Sequence, residues 1–251
     1  GLDAPLHLQY LRFMRGVVVG DFGVSLRYRE PVARLLLDRL PATLQLGASS
    51  LILSLLVGIP IGVFSAVRRH GVLDSIVRGV VLLGQAIPGF YLGILMIMLF
   101  SVQLHWFPTG GRGGLKHLVL PSIALGFYMV VLTVRFTRAS MLDILRHDYI
   151  RTAHGKGLRY SSVIFRHALR NAMIPLVTVI GLQTATIFSG AIVTETVFSW
   201  PGLGRFTVQA VHGRDFPVVQ TVVLFITTVV VFINLIVDII YAFLDPRIRY
   251  E

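Results

Sequence analysis

Five long apolar stretches constrain the fold of this 251-residue chain more than any other feature. They cover, approximately, residues 42–67, 79–104, 118–138, 173–194 and 218–244. About 20 mainly apolar residues are enough for a helix to cross a bilayer, and none of the stretches alternates as a barrel strand would. Only 14% of the residues are charged, against about a quarter in soluble domains. We predict an all-α, polytopic membrane helical bundle with five spans. Pro41, Pro121 and Pro175 are expected at or near the starts of three spans, and Pro60 and Pro88 are expected to kink the spans that contain them.

The distribution of Lys and Arg predicts how the bundle is oriented. The loop after the first span, the segment from 135 to 170 and the C-terminal tail together carry thirteen basic residues, against four in the opposite loops. Positive residues are retained on the cytoplasmic side. We therefore expect a cytoplasmic C-terminus, an extracytoplasmic N-terminal segment over 1–39 and a transmembrane domain over 40–251. The net charge of +11 follows the same bias, so nucleic acid is not an expected partner.

One stretch, residues 147–175, is polar and basic although it lies between two apolar runs. Its only acidic residue is Asp148, whereas its basic residues are Arg151, Lys156, Arg159, Arg166 and Arg170. Such a loop suits docking to another protein, and it would also suit contact with anionic lipid head groups.

Two helices are predicted inside this stretch. Asp148 could cap the first, Gly155 and Gly157 would end it, and Ser161 or Ser162 could cap the second, which runs through Asn171. Ile150 and Ala153 share a face of the first helix with Gly157, and a small apolar face of this kind fits a groove on a partner.

The same stretch resembles the cytoplasmic signature loop of ABC importer permeases. The resemblance rests on Arg151-Thr152-Ala153, then Gly157, and on Asn171 to Pro175. Arg and Thr replace the Glu and Ala of the general pattern, and Pro175 lies eighteen positions after Gly157, five more than usual. Both departures are similar to the dipeptide/oligopeptide/nickel branch.

This resemblance implies a type I importer permease with a coupling loop over 141–172. The residues expected to couple to an ATPase are Arg151, Thr152, Ala153, Lys156, Gly157, Arg166, Asn171 and Pro175. Further implications are a second homologous permease subunit, two ATP-binding cassette ATPase subunits that hold ATP and Mg²⁺, an extracytoplasmic substrate-binding protein, and a bacterial or archaeal cytoplasmic membrane. Because the family has six or more spans, one further span is expected before Gly1. The implied cargo is a peptide or a related small solute.

Polar residues of the fourth span suggest a translocation pathway. Gln183, Thr186, Gly190 and Thr194 recur at spacings of 3, 4 and 4 and share one helical face. Polar groups in a span tend to face the bundle interior or a water-filled path, although small and hydroxylated residues also serve helix packing. Gln85, beside Pro88, is a further pore candidate.

The segment that follows this span combines aromatic and polar residues. Trp200, Pro201 and Gly202 would suit an external gate or a contact with the binding protein. An interfacial turn anchored by Trp200 is the equally weighted alternative.

Several other functional classes lack the residues they need. No glycine-rich phosphate-binding loop occurs, there is no Gly-x-Ser-x-Gly or His-Glu-x-x-His, and the histidines lack metal-ligand spacing. The sequence therefore predicts no catalytic residue, metal site or bound cofactor in this chain. Asp238, an acidic residue inside the last span, keeps open an ion-coupled secondary transporter or channel that needs no ATPase.

Overall fold

The computed structural model describes residues 3–244, except for the side chains of 189–190 and 241–244. The tail arginines used in the orientation argument lie outside this range. The helices are α1 (Leu6–Val18), α2 (Val32–Val67), α3 (Val72–Ala86), α4 (Gly89–Met96, extended by a π-helical segment Ile97–Gln103), α5 (Leu115–Ile144), α6 (Asp148–Gly155), α7 (Tyr160–Ser162, extended by a π-helical segment Val163–Leu169), α8 (Arg170–Val197), α9 (Leu203–His212) and α10 (Phe216–Leu244). Within the described residues, the one extended pairing is a bridge between Val24 and Pro31.

Four of these helices are long and apolar enough to cross a membrane, and a bent pair brings the number to five among the described residues. The bent pair corresponds to the predicted second span, which is broken rather than continuous. The two segments, Val72–Ala86 and Gly89–Gln103, meet at 100°. Pro88 occupies the N-cap position of the second segment. Proline disfavours a helical residue before it, so the kink predicted at this position is a full break.

Helix α2 begins at Val32, well before the predicted span and its domain boundary at residue 40. The first turns of α2 contain charged residues, so hydropathy did not predict that the helix begins there. These turns are buried instead against α9 and α10, in a cluster formed by Val32, Leu35, Leu36, Leu203, Phe206, Ala210, Val218 and Val222. Pro41 consequently lies inside α2 and not at its start.

Pro121 and Pro175 were also expected at or near span starts, and both lie inside helices. Helix is continuous from Tyr160 to Val197, so α8 leads directly out of the basic stretch into the membrane. The π-helical segment Val163–Leu169 interrupts the regular hydrogen-bond register shortly before Pro175. In membrane helices, local π-helical adjustments help to satisfy backbone groups that a proline leaves without a partner.

Glycines bring α2 and α5 into close contact along the centre of the bundle. A Cβ on Gly58 would collide with Thr133, and one on Gly62 would collide with Thr137. The Gly58-x-x-x-Gly62 spacing therefore lets the two helix backbones approach closely. This pair of helices is the frame against which α8 packs.

Candidate functional site

Helix α6 is attached to the bundle by its apolar face. Ile150 is 2% exposed and Ala153 is 7% exposed. Both belong to a cluster with Val63, Ala66, Met141, Val163, Ile164, Ala168 and Ala172. The prediction that this face fits a groove on a partner is therefore wrong: α2, α5, α8 and the π-helical segment before α8 cover it. Helical periodicity showed that these residues share a face but could not show what covers that face.

The exposed face of α6 and of the turn after it is polar and basic. Arg151, Thr152 and Lys156 are all exposed. The Arg151 guanidinium lies 3.4 Å from the Asp148 carboxylate, and both side chains are largely in solvent. Exposed pairs of this kind contribute little to stability. The exposed rings of Tyr149 and Tyr160 flank this basic surface.

Gly157 ends α6 through its backbone conformation. Its φ is +71°, and no atom lies within 4 Å of a Cβ built on it. The Gly157 N–H donates to His154 O at 3.0 Å, and the Leu158 N–H donates to Ala153 O at 3.3 Å. This is the Schellman arrangement, in which the residue at the Gly157 position is left-handed. The conformation, and not a close approach within the chain, therefore explains the glycine.

The N-caps predicted for the two helices of this loop are both wrong. His147 occupies the N-cap position of α6, and Asp148 is the first helical residue without a capping hydrogen bond. Arg159 precedes α7, whereas Ser161 and Ser162 lie within it. The backbone of each capping residue, and not its side chain, sets where these helices begin.

Asn171 connects the start of α8 to α6. Its amide donates to the Tyr149 hydroxyl at 3.1 Å and to His167 O at 2.8 Å. Arg166 and Pro175 are exposed on the same continuous helix. The loop is thus joined to the membrane helix by a buried cluster and by a hydrogen bond.

A buried ion pair that the sequence analysis missed lies close to the same loop. Asp74 on α3 accepts hydrogen bonds from Arg138 Nε at 2.7 Å and Arg138 Nη2 at 2.9 Å. It also accepts one from the Ser65 hydroxyl of α2 at 2.6 Å. These contacts hold the ends of the three helices together. Separating the helices would leave a buried charge without its partner, which is unfavourable in free energy. The signal in the sequence was Asp74, the one acid between Arg68 and Arg78.

A largely apolar groove of about 530 Å³ runs beside α8. Its lining includes Gly89, Phe90, Tyr128, Phe136, Leu182, Gln183, Thr186, Val193 and Thr194. The groove therefore joins α8 to α5 and to the break between α3 and α4. Over the described part of the chain, this lining contains no Asp, Glu, Lys, Arg or His. Three predicted pathway residues, Gln183, Thr186 and Thr194, belong to this lining.

The predicted pathway residues differ in position. Gln183 touches the groove but is only 3% exposed, because its amide donates to Thr133 Oγ1 at 3.1 Å and lies 3.4 Å from the Ser54 hydroxyl. Gln85 is exposed and is not part of the groove lining. The side-chain surroundings of Gly190 lie outside the described residues. Ser54 and Thr133, which connect α2 and α5 to Gln183, were not identified from the sequence.

The outer segment is organised by buried groups. Trp200 is 0% exposed, and its indole N–H donates to Ala42 O at 2.8 Å. The Glu195 carboxylate accepts from the Thr43 hydroxyl at 2.6 Å and from the Arg205 N–H at 3.0 Å, at the start of α9. A Cβ on Gly202 would collide with this carboxylate. The indole is thus a packing element inside the chain, and of the three predicted outer residues only Pro201 is exposed.

Asp215 attaches the N-terminal segment to the beginning of α10. Its carboxylate accepts hydrogen bonds from the Ser25 hydroxyl and from the N–H groups of Leu26 at 3.2 Å and Arg27 at 3.3 Å. Burial opposes ionisation, but these hydrogen bonds outweigh burial and hold the pKa of Asp215 below its ordinary value.

Comparison with known proteins identifies the group to which the chain belongs. The profile described as "Binding-protein-dependent transport system inner membrane component" matches residues 58–250. This chain is a member of that family. It is the permease subunit of an ABC importer of the inner membrane, and separate ATPase subunits hydrolyse the ATP.

Curated relatives of the permease align along its whole length. It is 43% identical to the dipeptide transport system permease protein DppB of Escherichia coli K12, covering 100% of this chain and 83% of the relative. It is 44% identical to the glutathione transport system permease protein GsiC of Salmonella paratyphi A, covering 100% and 82%. The resemblance to the peptide branch that the signature loop indicated is thereby confirmed.

Solved structures confirm the fold of the permease. A chain of the MetNI methionine ABC transporter in an inward-facing conformation superposes with a TM-score of 0.72 at 21% identity, covering 84% of this chain and 96% of that chain. A chain of an amino acid ABC transporter gives a TM-score of 0.63 at 15% identity, with 83% and 93% covered. The predicted all-α importer-permease architecture is correct.

Family membership excludes the alternative of a secondary transporter. Asp238, on which that alternative depended, is exposed on α10 and is not part of the groove lining. The permease works with ATPase and binding-protein partners.

Proposed function

We propose that this permease forms half of the translocation pathway of an ATP-driven importer for peptides or a related small solute. The proposal is supported by the names of its relatives, which transport dipeptides and glutathione. The groove beside α8 is our candidate for this chain's half of the pathway. A lining without fixed charges would let the charged ends of a short peptide pass without being trapped by an ion pair.

The loop over 148–172 is our candidate for the coupling element. The observation that carries this proposal is that α6 is buried against the ends of α2 and α5, while the helix after it continues into α8. A displacement of α6 by an ATPase would therefore move α8 and with it one wall of the groove. The docking surface would be the exposed face of Arg151, Thr152, Lys156 and Gly157, with Tyr149 and Tyr160 beside it.

The complete importer would contain a second homologous permease, two ATP-binding cassette ATPase subunits and an extracytoplasmic binding protein. ATP and Mg²⁺ would be held by the ATPase subunits, with no cofactor on this chain. The basic loop and the C-terminus would face the cytoplasm, as the distribution of Lys and Arg favours. Pro201, the exposed residue of the outer segment, would then lie on the side of the binding protein.

Uptake into sealed vesicles tests the transport function. Right-side-out membrane vesicles that carry the assembled importer and external binding protein are loaded with ATP, and entry of a labelled dipeptide and of labelled glutathione is followed. We expect uptake of at least one solute that requires internal ATP and persists when the proton gradient is dissipated. Uptake that follows the gradient and ignores ATP would contradict the proposal.

A further inference from the structure

A basic cleft of about 340 Å³ lies at the ends of α2 and α5, beside the coupling loop. We define it by its lining residues: Ala66, Val67, Arg69, Leu142, Leu145, Arg146, Arg151 and Tyr160. The aliphatic side chains come from the final turns of two membrane-spanning helices and from Leu145 directly after α5. The guanidinium groups and the tyrosine come from the segments that leave the membrane. The cleft therefore has one apolar side and one cationic side.

The cationic side of the basic cleft lacks a balancing acid among the residues that the structure describes, because no carboxylate of that part of the chain lines it. Among the described residues, Arg69 and Arg146 make no ion pair or hydrogen bond through their guanidinium groups, and Arg151 meets only the exposed Asp148 at 3.4 Å. Three like charges around one cavity repel one another, so an anion that enters would relieve this repulsion. Guanidinium groups bind phosphate oxygens with two parallel hydrogen bonds.

We propose that the basic cleft binds the head group of an anionic phospholipid, with its phosphate between Arg69 and Arg146. The first methylene groups of the acyl chains would contact Leu142, Leu145 and Val67, which an inorganic anion would leave exposed. Basic pockets between the ends of membrane helices are suited to such head groups. A lipid held here would contact α2, α5 and α6 at once.

The test uses the assembled importer in phosphatidylcholine nanodiscs that contain a small fraction of spin-labelled phosphatidylglycerol. The immobilised fraction of the label reports bound lipid and does not depend on ATP hydrolysis or transport. A negative result would therefore leave the proposed coupling function untouched. Arg69→Gln with Arg146→Gln removes two charges from the basic cleft. The matched control, Arg159→Gln with Arg170→Gln, removes two charges from exposed positions outside it.

We expect the paired substitution in the cleft to weaken lipid retention about twenty-five-fold, roughly fivefold for each arginine near an anionic surface. The control pair should retain lipid nearly as the unaltered importer does. Arg69→Lys with Arg146→Lys keeps both charges and should restore most of the binding, which also shows that the site is still folded.

Several results would overturn the proposal. Equal losses for the cleft pair and the control pair would indicate attraction by general surface charge. Displacement of the labelled lipid by millimolar inorganic phosphate at constant ionic strength would identify a soluble anion as the ligand. Lipid that binds only after the ATPase subunits have been removed would show that a protein, and not lipid, covers the basic cleft.

Discussion

Gln183 and Thr186 are one helical turn apart on α8 but differ in their access to the groove. Gln183 is buried, with its amide bonded to Thr133, whereas Thr186 is an exposed part of the groove lining. We expect Thr186→Cys to react with a small polar thiol reagent and Gln183→Cys to stay unreactive. The rate at Thr186→Cys should change when nucleotide is trapped on the importer.

Ile236→Cys serves as the control, because Ile236 is exposed on α10 but lies outside the groove lining. The cysteine at position 236 should react slowly if water fills the groove but does not reach the exposed apolar surface of α10. Equal reactivity at all three positions would refute the assignment of the groove as an aqueous path.

Asp215 predicts how the N-terminal segment responds to acid. A lowered pKa in the folded state means that the ionised carboxylate stabilises that state. Its contribution is fully present above the unfolded value of 3.8 and is lost as the pH falls through the lower folded value. Proteolysis at residues 20–31 by an acid-stable protease should therefore stay constant from neutral pH down to about 4 and accelerate below it.

Removing this carboxylate should loosen the same segment at neutral pH. Asp215→Asn weakens the hydrogen bonds that this side chain accepts from Ser25, Leu26 and Arg27. We expect the attachment of the segment to lose about 1–3 kcal/mol of free energy. Tryptic cleavage at Arg27 should therefore become faster. Asp21→Asn is the control, because the exposed Asp21 carboxylate bonds only locally to the Gly23 N–H. Equal cleavage rates in the two variants would contradict the role of Asp215.

At the scale of elements, Ile150 decides whether α6 is an integral part of the bundle. Ile150→Ala leaves a cavity in the cluster that holds α6, at a cost of about 2–5 kcal/mol. We expect faster hydrogen exchange in α6, while the exchange of α2 and α5 is little changed. Thr152→Ala, on the exposed face of the same helix, should leave the exchange of α6 as it is. Unchanged exchange in Ile150→Ala would show that the buried face does not anchor the helix.

The sequence predicted these elements unevenly, for physical reasons. Apolar length alone located the spans, because a bilayer requires about 20 such residues. The early start of α2 was missed, since packing against α9 and α10 stabilises turns that hydropathy treats as polar. Pro88 predicted a kink, but its angle depends on how α4 packs. The caps of α6 and α7 could not be read, because His147 and Arg159 act through their backbone conformation and not through a recognisable side chain.

At the scale of the whole molecule, the family was recognisable from one loop, whereas the partners of its residues were not. Gly157 was predicted to end α6, and in the structure it does so through a positive φ with no close neighbour at its Cβ position. Ile150 and Ala153 were assigned to the wrong neighbour, and the hydrogen bond from Gln183 to Thr133 was not foreseen, because each depends on contacts between distant helices. The pairs Asp74 with Arg138 and Glu195 with Thr43 lie 64 and 152 positions apart, beyond the reach of local pattern.

Retention of the ATPase subunits by Gly157 variants tests the central claim, that the loop over 148–172 couples this permease to its ATPase. Gly157→Leu forces a side chain into a left-handed conformation at a cost of about 1–2 kcal/mol and adds bulk to the docking face, so we expect at least about tenfold weaker retention. Gly157→Asn is the matched control, because asparagine tolerates this conformation. Arg151→Glu and Lys156→Glu should have smaller effects.

The measurement is pull-down of the ATPase subunits by the detergent-solubilised full-length permease, paired with ATP-dependent uptake in vesicles. We predict that Gly157→Leu inserts into the membrane normally but loses both the ATPase and the uptake, while Gly157→Asn keeps both. ATPase retention and uptake at unaltered levels in Gly157→Leu would contradict the coupling role of this loop.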